Sequence, residues 1–131
     1  MSMTSDLADQ YVAAASDLDS LYTSLVSAKQ YGLASQVSQA ENDLKQAASS
    51  LYSMDAIVQL DSASANAATI TQLTSLISQK AAAIAASQGR VTIVTGLAAS
   101  LVTLVSDFGA GNIVGGIGAA GDAIGALNAI K

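Results

Sequence analysis

The stretch GNIVGGIGAAGDAIGALNAIK, Gly111 to Lys131, decides how this chain is read. Inside it GIGAAG, Gly116 to Gly121, matches the G-x-G-x-x-G pattern of dinucleotide-binding loops letter for letter. Such a loop works by joining a buried strand to a helix whose N-terminus meets pyrophosphate, with an acidic residue about twenty positions later for the ribose. After Gly121 only ten residues remain, none of them acidic at that distance. No βαβ unit fits, so the glycines serve packing. Gly111, Gly115, Gly118 and Gly125 fall at steps of four, three and seven, which places them on one helical face. Gly121 pairs with Gly125, and Gly111 with Gly115, as G-x-x-x-G, a spacing that lets a second backbone approach closely. Ile113, Val114, Ile117, Ile124, Leu127 and Ile130 supply the remaining apolar surface. Glycine costs about 1 kcal/mol per helical site relative to alanine, so this segment must gain its order from neighbours.

Upstream, VTIVTGLAASLVTLVS, Val91 to Ser106, carries no charge, and Asp107 and Asp122 are the sole ionisable residues from Val91 to Ile130. β-Branched residues are frequent, but Val94, Leu97, Leu101, Leu104 and Phe108 keep helical spacing, and Thr92, Thr95, Thr103 and Ser106 collect on another face. The spacing predicts two apolar helices, Val91–Ser106 and Ile113–Ile130, joined by a Gly109–Gly111 turn. Sixteen helical residues cover about 24 Å, short of the roughly 30 Å of a hydrocarbon core, so two readings stand: a pair of helices buried within a protein assembly, or a paired hairpin that inserts with glycine at its tip.

The first two thirds read as amphipathic helices. Leu7, Tyr11, Ala14, Leu18, Leu21, Leu25 and Ala28 alternate at four and three, with Ser5 as N-cap and Gly32 closing the helix. A second seam follows at Leu33, Val37, Ala40, Leu44, Ala47, Leu51, Met54 and Val58, with Glu41 and Lys45 paired on the outer face. Asp61 and Ser62 mark a break. A third helix is predicted to run to about Gln88, through Ile70, Leu73, Ile77 and Ile84, with Gly89 as its C′ residue. The expectation is one all-α domain over 1–131, an antiparallel bundle of four to five helices. Its amphipathic part is 5–88 and its apolar, glycine-rich hairpin is 91–130.

Composition narrows the function. The 131 residues include no cysteine, histidine or proline, which removes thiolate and imidazole chemistry, structural zinc and the common nucleophile–base pairs. Asp17 and Asp19 do not face one another on a helix, so they form no acid–base pair. No enzyme activity, cofactor or metal is expected. The net charge of −5 argues against unaided neutralisation of a phosphate backbone. The five cations are scattered along the chain, and Lys80, Arg90 and Lys131 are the candidates for nucleic-acid contact in the C-terminal half. The opening MSMTSDLADQ has neither the basic nor the apolar region of a signal peptide.

With 11% charged and 51% hydrophobic residues, the surface is poorer in charge than a soluble monomer usually requires. About 130 residues, alanine- and serine-rich helices and an apolar glycine-rich C-terminus together resemble the small α-helical major coat proteins of large spindle-shaped archaeal viruses. The resemblance implies a virion subunit that assembles with many copies of itself into a helical shell around double-stranded DNA. Assembly contacts are then expected from Val94, Leu97, Leu101, Leu104 and Phe108, and from Gly111, Gly115, Gly118, Gly121 and Gly125. Two other classes stand beside it. One is a membrane-inserting pore-former or secretion translocator that uses residues 91–130 against lipid, with Asp122 expensive there. The other is a helical adaptor that binds a single partner.

Overall fold

A computed structural model describes residues 3–54 and 65–130 as helices and short turns. The helices are α1 (Met3–Ser27), α2 (Tyr31–Ser53), α3 (Ala65–Gln79), α4 (Ala81–Ala85), α5 (Val91–Gly109) and α6 (Ile113–Ala129), and a 3-10 turn at Gln88–Arg90 precedes α5. The described residues are all-α as the periodicity requires, and they form six helices where four to five were expected. The extra division falls at Lys80, where the expected third helix separates into α3 and the short α4. That helix also stops at Ala85, before the expected Gln88. Gly89 lies in the 3-10 turn and takes no positive φ, so it is not a C′ residue. Val58, Asp61 and Ser62 lie outside the described residues.

The heptad residues form the core. Leu7, Tyr11, Leu18, Leu21 and Leu25 of α1 are wholly or almost wholly buried, together with Val37, Leu44 and Leu51 of α2 and Ile70, Leu73 and Ile77 of α3. Ala28, the expected last member of the first seam, is exposed because α1 has already ended. Helix α1 packs on α2, α3 and α4, α2 packs on α5, α5 on α6, and α6 returns to α3. The helices therefore close a ring around one apolar core.

The α1–α2 connection differs from expectation in a way that local geometry explains. Lys29, not Gly32, turns the chain, with φ 61. Its N–H donates to the Val26 carbonyl and the Gln30 N–H to the Leu25 carbonyl, both at 2.9 Å. This is the Schellman pattern, which needs a left-handed residue just past the helix. Gly32 falls inside the first turn of α2, exposed and with open space around it. The Glu41–Lys45 pair forms as expected, at 2.7 Å.

Candidate functional site: the apolar hairpin of α5 and α6

The hairpin is built at its turn. The Gly111 N–H donates to the Phe108 carbonyl at 3.1 Å and the Asn112 N–H to the Asp107 carbonyl at 2.8 Å, with Gly111 at φ 80. Asn112 then caps α6, its Oδ1 accepting from the Gly115 N–H at 3.0 Å. One residue thus finishes the stop of α5 and begins α6, which forces the two helices back against each other. Gly111 belongs to this turn and not to the helical glycine face expected for it.

The two following glycines are fixed by close approach. A Cβ on Gly115 would stand 2.4 Å from the Asn112 Nδ2 and 2.9 Å from the Asp107 Oδ2. On Gly116 it would stand 2.2 Å from Cε1 and 2.3 Å from Cδ1 of Phe108, whose ring lies on the α6 backbone. By contrast, Gly118, Gly121 and Gly125 meet nothing within 4 Å and are exposed. The two faces of α6 differ in composition. Gly116, Ala119, Ala120, Ala123 and Leu127 face the core, while Val114, 83% exposed, stands with the three open glycines toward solvent. Alanine keeps the helix close-packed without the glycine entropy cost, so it takes the buried face.

On α5 the expected apolar face is the buried one: Val94, Leu97, Leu101, Leu104 and Phe108 all lie inside this chain's own core. The opposite face shows Thr92, Gly96, Ala99, Thr103 and Ser106 to solvent. Thr103 donates to the Ala99 carbonyl at 2.9 Å and Thr95 to the Thr92 carbonyl at 3.1 Å, so these hydroxyls are satisfied within the helix. The continuous helical stretch is longer than the uncharged window of the sequence. From Gln88 to Gly109 it spans 22 residues, about 33 Å at the α-helical rise and enough for a hydrocarbon core, and an 18-residue window within it has mean hydropathy 1.8. It is longer because Asp107 does not end it and the 3-10 turn extends its start.

Polar bonds also join the helices to one another. The Tyr11 hydroxyl on α1 donates to the Leu101 carbonyl in mid-α5 at 2.8 Å, fully buried, and burial pushes its phenol well above the ordinary range. The Tyr52 hydroxyl on α2 donates to the Asp9 carboxylate on α1, a bond that raises the Tyr52 pKa. The seam between α2 and α5 is hollowed at the surface. Two hollows of about 480 and 240 Å³ run along it, bordered by Gln36, Asp43 and Ser50 on one side and Thr95, Val102 and Ser106 on the other. Sequence periodicity had no means of finding the Tyr11 tie, because the partner is a main-chain carbonyl ninety residues away.

Two of the nucleic-acid candidates, Lys80 and Arg90, stand at the starts of helices. Lys80 donates to the Ile130 carbonyl at 2.9 Å, closing the end of α6. Arg90 is the N-cap residue of α5 and half-buried, and Lys131 lies outside the described residues. GIGAAG sits within α6, as its rejection as a phosphate loop requires. Among the described residues no group of three or more His, Cys, Asp or Glu side chains gathers to hold a metal. What stands out is an apolar helical hairpin with one side packed on the amphipathic helices and the other open to solvent. Comparison with protein-family models, with curated proteins and with solved structures finds no match for this chain.

Proposed function

We propose that this chain is a membrane-inserting helical protein that stores the α5–α6 hairpin inside a soluble bundle. One observation carries the reading: Gln88–Gly109 is long and apolar enough to cross a bilayer, yet 44% of its apolar window is buried as core. The same leucines that face α1 and α2 in the closed bundle would face lipid in the open one. The transfer conserves apolar burial, so its main costs are the exposed faces of α1–α3 and the Tyr11 tie. Satisfied threonine hydroxyls on the outer face of α5 remove one penalty that lipid would otherwise impose. Asp122, exposed in mid-α6, is the main opposing cost, a few kcal/mol for an ionised side chain at mid-membrane depth.

The test is flotation of the detergent-free protein with liposomes, combined with release of a trapped dye. Co-flotation with dye release supports the reading. Protein that stays at the bottom of the gradient with intact vesicles sinks it.

A second reading, a self-assembling coat subunit like those of spindle-shaped viruses, draws on one observation of its own. The α6 face of Val114, Gly118, Gly121 and Gly125 is apolar, open and flat enough for a neighbouring copy to approach closely. Electron microscopy without lipid separates the two, since ordered tubes or sheets belong only to the coat reading.

A further inference from the structure

Folding sorts charge along the bundle, although the linear sequence spreads it. Helix α1 runs back along α2, as the Tyr52–Asp9 bond between the end of α2 and the start of α1 shows. Helix α2 runs in the same direction as α5: Ser35 and Gln36 lie opposite Thr95, Ser50 lies opposite Ser106, and Met54 reaches Gly109. The α1–α2 turn, the start of α5 and the end of α6 therefore share one pole. Lys29 sits in that turn, Arg90 caps α5, and Lys80 bonds the last carbonyl of the α6 end. Lys45, in mid-α2, is held by Glu41. The opposite pole has Asp6 and Asp9 at the start of α1 and Asp107 beside the α5–α6 turn, with no Lys or Arg among the described residues.

We infer that Lys80 and Arg90, with Lys29 at the same pole, bind the phosphates of anionic lipids and hold the base of the α5–α6 hairpin on the side from which it enters. The Ala110–Asn112 turn is then the part that crosses. This rests on the membrane-inserting reading above. Cations that flank apolar helices resist translocation far more than carboxylates do, so a hairpin with a basic base and an acidic tip has one favoured orientation. Arg90 carries five N–H donors, so a contact it makes within the chain leaves others for phosphate, and Lys80 keeps two ammonium donors beyond the one given to Ile130. Lipid is favoured over DNA because these cations stand at the ends of the two apolar helices, while the whole chain carries −5.

The chain lacks cysteine, so single thiols report position without background. Ala110→Cys marks the turn, and Gly89→Cys, at an exposed position with open space, marks the base. Each is mixed with vesicles of equimolar phosphatidylcholine and phosphatidylglycerol, with a membrane-impermeant maleimide either outside or trapped within. The base thiol should react only from outside and the turn thiol only from within; the reverse pattern overturns the inference. Lys29→Gln with Arg90→Gln leaves the Lys80 bond to Ile130 intact. Each loss should weaken binding to these vesicles about fivefold, with binding to pure phosphatidylcholine unchanged. Insertion that is equal in both lipids and indifferent to the variants overturns the headgroup role while leaving the membrane reading standing. Association with neither membrane overturns both. Preference for a short DNA duplex over the anionic vesicles at the same salt also overturns it.

Discussion

Gly116→Ala tests the hairpin packing most sharply. The new methyl would stand 2.2 and 2.3 Å from two Phe108 ring carbons, against ordinary contacts of 3.4–4 Å. The ring is 3% exposed and must retreat by about 1 Å into a filled core. Overpacking of this kind costs about 1–3 kcal/mol, opposed by the roughly 1 kcal/mol that alanine gains over glycine in a helix. Gly118→Ala, two residues on in the same helix and open to solvent, carries the propensity gain without the clash. The propensity terms cancel in the comparison, so the difference between the two variants isolates the steric cost, about 1–3 kcal/mol. Urea unfolding followed by circular dichroism measures it, with Gly118→Ala at or above the wild type and Gly116→Ala below. Repeating both in a Phe108→Leu background should narrow the gap, because the ring that causes it is gone. Equal midpoints for the two alanine variants in the wild-type background would refute the placement of Phe108 on the α6 backbone.

Other substitutions probe the remaining ties. Tyr11→Phe removes the bond to the Leu101 carbonyl, which keeps its helical partner, so a loss of about 1 kcal/mol is expected by urea titration. The Tyr11 phenol is raised by burial in the folded state, so its contribution is intact below the unfolded value near 10 and is lost as pH climbs above it; alkaline unfolding should begin there and be blunted in Tyr11→Phe. Asp17 is also raised by burial, and its Oδ2 has no hydrogen-bond partner. Folded chains therefore hold that proton more tightly, and stability falls as pH rises above the ordinary aspartate value of 3.8. Asp17→Asn should gain on the wild type at neutral pH, with the gap closing in acid; a constant gap across pH would contradict this. Lys29→Gly relieves a left-handed lysine at φ 61 and should stabilise by about 1 kcal/mol, read as a rise in thermal midpoint.

The large apolar residues made α1, α2, α3 and α5 legible, because leucine and isoleucine at helical spacing have no other place to go than a shared core. Alanine and glycine carry no such signal. On α6 both faces are small, so hydropathy could not tell the alanine face that packs from the glycine face that stays open. The sequence points to Gly32 as the α1–α2 boundary for a related reason. Glycine is the usual left-handed residue, but here Lys29 accepts that strain and Gly32 becomes ordinary helix. Of the candidate cations, Lys80 owes its position to a carbonyl fifty residues away, a contact without any local pattern. The gathering of Lys29, Lys80 and Arg90 at one pole follows from the direction of the helices and could not be read before the topology.

The central claim is that the hairpin leaves the bundle for lipid. It is tested most directly by an environment-sensitive fluorophore on Thr103→Cys, on the exposed face of α5, compared with the same fluorophore on Ser49→Cys, on the exposed face of α2. On adding anionic vesicles, the account predicts a blue shift and brighter emission at residue 103 and little change at residue 49. An unchanged spectrum at 103, with the protein left in the aqueous phase, would contradict it.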